Sequence, residues 1–115
     1  MDFIMMQAIT DYYTLHNGIR IPCVGVGTGQ AEKGDTARNA VKEALAAGYR
    51  HIDTAAGYGN EESVGIAVKE SGLSREEVFV TSKLQNSMHG YDNTMQAFEQ
   101  TMKNLDMDYL DLYLI

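Results

Sequence analysis

Apolar positions along the chain alternate between two rhythms. Short runs of aliphatic and β-branched residues occur at Cys23–Gly27, His51–Ala55, Val78–Ser82 and Leu110–Ile115, and they read as buried strands. Between them the apolar spacing lengthens to three and four. Ala37, Ala40, Val41, Ala44, Leu45 and Gly48 form one helical face, with Asp35 as candidate N-cap and Gly48 as the stop. A second helix is expected to open at Asn60, a capping residue, with Glu61 and Glu62 in the first turn where acids suit the helix dipole. Val64, Ala67 and Val68 face inward on it, and it ends near Gly72. Met95, Phe98, Met102 and Leu105 make a third helical stripe, with Asn93 and Gln96 placed to cap it. Ser74-Arg75-Glu76-Glu77 fits a capping box and predicts a single helical turn.

Ahead of these units, Tyr13–Ile21 carries Asn17-Gly18 between two short alternating runs, a hairpin signal that Pro22 terminates. The order is a hairpin followed by β-α-β-α-β-α-β, which implies a parallel sheet with right-handed crossovers. No linker or low-complexity stretch interrupts the 115 residues, so one domain is expected.

Composition narrows the class. The net charge is -7 with acids scattered along the chain, a poor match to nucleic acid or an anionic membrane surface. No apolar run approaches the roughly 20 residues that span a bilayer. Met1–Gln7 holds an early acid and no basic region, so no signal peptide is expected. Cys23 is the sole cysteine, which suits a reducing compartment, and a cytoplasmic location is expected.

Gly25-Val26-Gly27-Thr28-Gly29-Gln30 does not complete a dinucleotide fingerprint. Its third glycine would fall at Gln30, and the next helix starts several residues later. The glycines suit a close backbone approach at a strand end. Asp53 and Lys83 end consecutive predicted strands, and neighbouring parallel strands lie roughly 4.8 Å apart. Their side chains can therefore pair, while Tyr58, in the loop after Asp53, can fold over the same spot. Taken singly, Asp53 is equally readable as a cap satisfied by backbone N–H groups, and Lys83 as a solvated strand end. Together they suggest acid chemistry. A free phenol titrates near about 10. A neighbouring cation stabilises the phenolate and so eases proton release toward a carbonyl oxygen.

The blocks Gly48-Tyr49-Arg50-His51-Ile52-Asp53-Thr54-Ala55-Ala56-Gly57-Tyr58-Gly59-Asn60-Glu61-Glu62, Val78–Leu84 and Leu105–Ile115 resemble the aldo-keto reductases, as do the hairpin and Gly25–Thr28. The resemblance implies the first half of a (β/α)8 TIM barrel: an N-terminal β-hairpin, then four parallel strands and three helices. Residues 1–115 would form the N-terminal part of that single barrel domain, truncated after the fourth barrel strand. It implies NADPH-dependent reduction of aldehydes or ketones to alcohols, with Asp53, Tyr58 and Lys83 as three members of a catalytic tetrad. The fourth, a His, would follow directly after Ile115. Gly27, Thr28 and Asp53 would lie near the nicotinamide end of the cofactor. Gly29, Gly57 and Gln85 depart from the family's usual larger or aromatic pocket walls, which points to a roomy pocket.

His51 is expected to be structural and His16 to lie at the surface; for His89, in the loop after Lys83, a place on the substrate rim is the minority reading. No two histidines have metal-ligand spacing on one face, so no metal is expected. The expected partner is a small carbonyl substrate. The alternative is an inactive half-barrel that assembles with another chain, either a second copy or a complementing C-terminal half.

Overall fold

A computed structural model describes residues 8–115 of the chain, and the Met1–Gln7 reading lies outside them. The hairpin pairs β1 (Tyr12–Thr14) with β2 (Arg20–Pro22) antiparallel, in a two-stranded sheet of its own. The main sheet holds β3 (Val26–Gly27), β4 (His51–Asp53), β5 (Phe79–Lys83) and β6 (Leu112–Leu114), all parallel and in chain order. Helices α1 (Asp35–Ala46), α2 (Glu61–Glu70) and α3 (Tyr91–Leu105) connect them. The predicted βαβ alternation is therefore present, with β3, β4 and β6 shorter than the apolar runs that announced them and β5 shifted by one residue.

Register divides the sheet into two faces. Gly27 pairs with Asp53, Asp53 with Thr81 and Thr81 with Leu112, so these positions share one face, and Lys83 and Leu114 continue it two residues on. Val26, Ile52 and Val80 occupy the opposite face. There Ile52 and Val80 are buried with Val41 and Leu45 of α1, Val64, Ala67 and Val68 of α2, and Leu105 of α3. This core is what fixes the strand ends that carry the chemistry. At the other ends of β5 and β6, Arg75 donates to the carbonyls of Val78 (2.6 Å) and Tyr109 (2.8 Å) and pairs with Asp111 at 2.9 Å. Asp111 also accepts from the Val80 N–H at 2.9 Å, so one ion pair sets the offset of two strands.

Several local expectations need correction. The hairpin loop is longer than a two-residue Asn-Gly turn: Thr14 pairs with Arg20, and the Leu15 N–H reaches the Ile19 carbonyl at 2.8 Å. Gly18 keeps its positive φ (85°), while Asn17 accepts from the Ile19 N–H at 3.1 Å instead of forming a tight turn. Asp35 is the first helical residue of α1, not its cap; Gly34 holds the cap position, and its N–H donates to Ser63 Oγ at 2.8 Å. Asn93 and Gln96 lie inside α3, which starts at Tyr91. Its buried stripe is Ala97, Thr101 and Leu105, with Phe98 half-buried against Tyr113 (5.2 Å between ring centres) and Met95 exposed. Thr101, outside the expected stripe, is buried because its hydroxyl meets the Glu61 carboxylate at 3.3 Å. The expected turn at Arg75–Glu77 is present, with the Ser74 N–H donating to Glu77 Oε1 at 3.3 Å. Among the described residues, no helix is long and apolar enough to cross a membrane.

Gly65 shows how closely α2 and α3 approach. A Cβ there would lie 2.2 Å from the Leu105 carbonyl oxygen. Alanine normally gains about 1 kcal/mol over glycine inside a helix. Here the obstacle is backbone, so overpacking of about 1–3 kcal/mol outweighs that gain. Gly65→Ala is expected to lower the urea midpoint, whereas a rise would mean that the helices can separate freely.

Candidate active site

The C-terminal ends of β3, β4 and β5 bring the predicted residues together. Asp53 ends β4 and Lys83 ends β5, one pairing step apart on the inner face. Lys83 Nζ forms an ion pair with Asp53 Oδ1 and donates to the Thr54 carbonyl at 3.2 Å. After β4 the chain makes a 3₁₀ turn, Ala56–Tyr58, closed by Gly59 in the left-handed region (φ 72°). That turn returns the Tyr58 ring over the strand ends, with its centre 5.3 Å from Lys83 Nζ. The ammonium thus sits within cation–π range of the phenol while held from behind by a carboxylate.

This cluster is open to solvent: the Asp53 side chain is 42 % exposed and that of Lys83 30 %, and Tyr58 is exposed too. Ion pairs that wet stabilise a fold by about 1 kcal/mol at most. The pair therefore contributes little to folding, and its geometric effect is to hold the ammonium beside the phenol.

Thr28 follows Gly27 directly at the end of β3. It is 3 % exposed, and its hydroxyl points into a buried cluster with Thr54 Oγ1 (2.8 Å) and Asn60 Oδ1 (3.1 Å). Its N–H donates to the Asp53 carbonyl at 3.0 Å, and its carbonyl accepts from Asn60 Nδ2 at 2.8 Å. Gly27, by contrast, is exposed on the inner face, and a Cβ there would touch nothing. The bare backbone at Gly27 and the wet carboxylate of Asp53 leave room for a flat ring beside the phenol, so these residues fit the nicotinamide end of a cofactor.

Gly29 lies against the Tyr58 ring; a Cβ there would be 3.6 Å from Tyr58 Cζ, an ordinary contact distance. Gly57 faces open space. Gln85 is exposed and borders a cavity of about 360 Å³ against α3, whose lining includes Met88, Gln96 and Gln100 and none of Asp53, Tyr58 and Lys83. His89 and His16 are exposed.

His51 is half-buried and held by neighbours on β5 and just ahead of β3, in keeping with a structural role. Its Nε2 lies 2.8 Å from Thr81 Oγ1, and its ring meets Phe79 edge-on at 4.9 Å. Gly25 makes room for it, since a Cβ there would lie 2.9 Å from Nδ1. Burial pushes the imidazole below its ordinary value of 6.5, against the opposing pull of Asp53 and Asp111.

Two residues carry more than their positions suggested. Asn60 was read as a cap and Glu61 as a dipole partner, yet both are buried, at 1 % and 3 % exposure. Glu61 accepts from Ser82 Oγ (2.7 Å), Thr101 Oγ1 (3.3 Å) and Asn104 Nδ2 (3.2 Å), which binds α2 to β5 and α3. Three donors offset the cost of burying that carboxylate. The Tyr113 hydroxyl is buried close by, and burial followed by the Glu61 charge raises it above its ordinary 10.0. The available signal was a run of polar residues, Thr54, Asn60 and Glu61, in a segment otherwise built of small apolar ones.

The profile of the Aldo/keto reductase family matches residues 23–115, and the chain belongs to that family. It is 51 % identical over 111 residues to glyoxal reductase of Bacillus subtilis, spanning 96 % of this chain and 40 % of that protein. It is 52 % identical over 102 residues to 9,11-endoperoxide prostaglandin H2 reductase of Trypanosoma cruzi, spanning 89 % of this chain and 36 % of the relative. Among solved structures, an aldo/keto reductase from Brucella melitensis superposes with a TM-score of 0.89 at 51 % identity, covering 92 % of this chain and 41 % of that one. A Bombyx mori aldo-keto reductase in complex with NADP gives 0.86 at 42 % identity, covering 95 % and 38 %. The chain thus spans about two fifths of the length of its relatives, and its hairpin, parallel sheet and helices correspond to the first half of their (β/α)8 barrel.

The lowered His51 value makes stability pH-dependent. Below about pH 6.5 the unfolded chain takes a proton on this imidazole that the folded ring resists, so folding weakens as pH falls through that window. His51→Asn is expected to flatten the loss of urea-midpoint stability between pH 7.5 and pH 5.5. Equal losses in the two proteins would show that burial of the ring is not felt.

Proposed function

We propose that this chain supplies the proton-transfer part of an NADPH-dependent reductase of aldehydes and ketones. The observation that carries the reading is the Lys83 ammonium, paired with Asp53 and facing the Tyr58 ring at 5.3 Å. Tyr58 is the general acid. It gives its hydroxyl proton to the carbonyl oxygen of the substrate as that oxygen gains negative charge. Lys83 stabilises the phenolate left behind, and Asp53 holds Lys83 within reach of it. Gly27 and Asp53 line the place of the nicotinamide ring, with Thr28 supporting it from below. When bound, the reduced cofactor supplies the hydride. The Bombyx mori neighbour with NADP supports that choice of cofactor, and the glyoxal reductase relative supports a small aldehyde or dicarbonyl substrate. The open faces at Gly57 and Gly29 agree with an uncrowded pocket.

General acid catalysis contributes about 10²–10⁴-fold. In a complete barrel carrying these residues, Tyr58→Phe is expected to cut kcat for a small aldehyde with NADPH by that factor, with the fold intact by circular dichroism. Turnover near wild type in that variant would remove Tyr58 from the role.

A second reading, an inactive half-barrel that assembles with another chain, rests on a different observation. Among the described residues, β3 and β6 each pair on one side only in the main sheet, and Leu114 is exposed at 42 %. Unpaired edges and apolar side chains of this kind drive association. A second copy could place four more strands beside these, and cyclic dimers are the commonest oligomers. The 115-residue chain on its own is therefore expected to elute as a dimer or larger species in multi-angle light scattering. A monomer with cooperative unfolding would exclude this reading.

A further inference from the structure

From this same reading of the site, we infer that Asn60 is a positioning residue for Tyr58. It holds the loop after β3 against one face of the general acid. The evidence begins with what Asn60 does not do. It occupies the N-cap position of α2, where an Asn side chain ordinarily accepts from the second or third N–H of its own helix. Here no side-chain cap bond forms. The amide instead bonds partners outside its own helix, 6 to 32 residues away. Oδ1 accepts from the hydroxyls of Thr28 (3.1 Å) and Thr54 (3.0 Å), and Nδ2 donates to the carbonyls of Thr28 (2.8 Å) and Ala31 (3.0 Å). A strong local preference has given way to four cross-chain bonds, the kind of departure expected where function constrains a structure.

Those partners bracket the site. Thr28 and Ala31 lie on either side of Gly29, where a Cβ would lie 3.6 Å from Tyr58 Cζ. Thr54 follows Asp53, and its carbonyl accepts from Lys83 Nζ. Asn60 itself is two residues beyond Tyr58, across the left-handed Gly59. One buried amide therefore ties the Tyr58 turn to the Gly29 loop and to the strand end that holds the ammonium. Without it, the 3₁₀ turn keeps its own backbone bonds, such as Tyr58 N–H to Ala55 O at 3.1 Å, but loses its reference to the rest of the site.

The test measures kcat and KM in a complete barrel carrying these residues, with Tyr58→Phe alongside, well below the melting temperature of each variant. A misplacement of about 1 Å can cost about 10²-fold. Asn60→Ala is expected to lower kcat by about 10–100-fold while KM for NADPH changes far less. Asn60→Asp keeps the shape but sets a second oxygen against the two carbonyls. It is expected to match Asn60→Ala at pH 8. At pH 5 its kcat, relative to wild type, is expected to recover as the buried carboxyl takes a proton and can donate again. If Asn60→Ala does not fold, the isosteric Thr54→Val, which deletes one Oδ1 partner, and the pH profile of Asn60→Asp decide the matter. Wild-type kcat in folded Asn60→Ala, or an Asn60→Asp ratio flat with pH, overturns the inference and leaves Tyr58 as the acid. Undiminished turnover in Tyr58→Phe would instead remove the reading on which the inference rests.

Discussion

The whole site hangs on two adjacent side chains that are polar and yet buried, Asn60 and Glu61. They stand at the first turn of α2 and point in different directions. Asn60 gathers Thr28, Ala31 and Thr54, the segments that follow β3 and β4. Glu61 gathers Ser82 beside Lys83, with Thr101 and Asn104 on α3. Three strand ends and two helices are thereby referred to one point of backbone. An apolar pair could fill the same volume, but dispersion contacts tolerate sliding. Hydrogen bonds fix direction as well as distance, and an unmet partner in the interior costs about 1–3 kcal/mol. Small displacements of any loop are therefore resisted.

The layered sheet makes this arrangement useful. Parallel strands deliver all their C-terminal ends to one edge, the face where barrel enzymes carry their chemistry. The hydrophobic core on the far side of Ile52 and Val80 sets the height of each strand, and the Arg75–Asp111 pair pins β5 and β6 at their N-terminal ends. Only after those constraints do the wet residues matter. Asp53 and Lys83 are too exposed to stabilise the fold appreciably. Their separation is instead inherited from the pairing of β4 with β5.

Much of this was legible in the sequence because the informative features were periodic or local. The apolar alternation gave the element order, and the strand-end positions of Asp53 and Lys83 gave their proximity. Asn60 was placed at a helix start but forms no cap bond, and Glu61 stands in the first turn as expected but also takes three donors from β5 and α3. Cap propensity is a local rule, and their partners lie between 6 and 43 residues away. Thr101 escaped for the related reason that a polar residue in a buried stripe makes sense only once Glu61 faces it. Asp35 and the hairpin loop were missed through local competition: Gly34, with φ 90°, took the cap position, and Asn17 bonded its own neighbour.

The relation of this chain to a full barrel then has a physical content. The positions of Asp53, Tyr58 and Lys83 depend on the β4–β5 register, on the turn after β4 and on the buried amide and carboxylate at α2. Every one of those contacts is internal to residues 28–104. The placing of the Lys83 ammonium beside the Tyr58 ring is thus set within this segment. Under the proposed function the nicotinamide ring would lie at Gly27 and Asp53, which rest on the pairing of β3 with β4. Acid chemistry and cofactor binding would in that case be separable by segment. A barrel built this way could alter its grip on the cofactor without disturbing the acid.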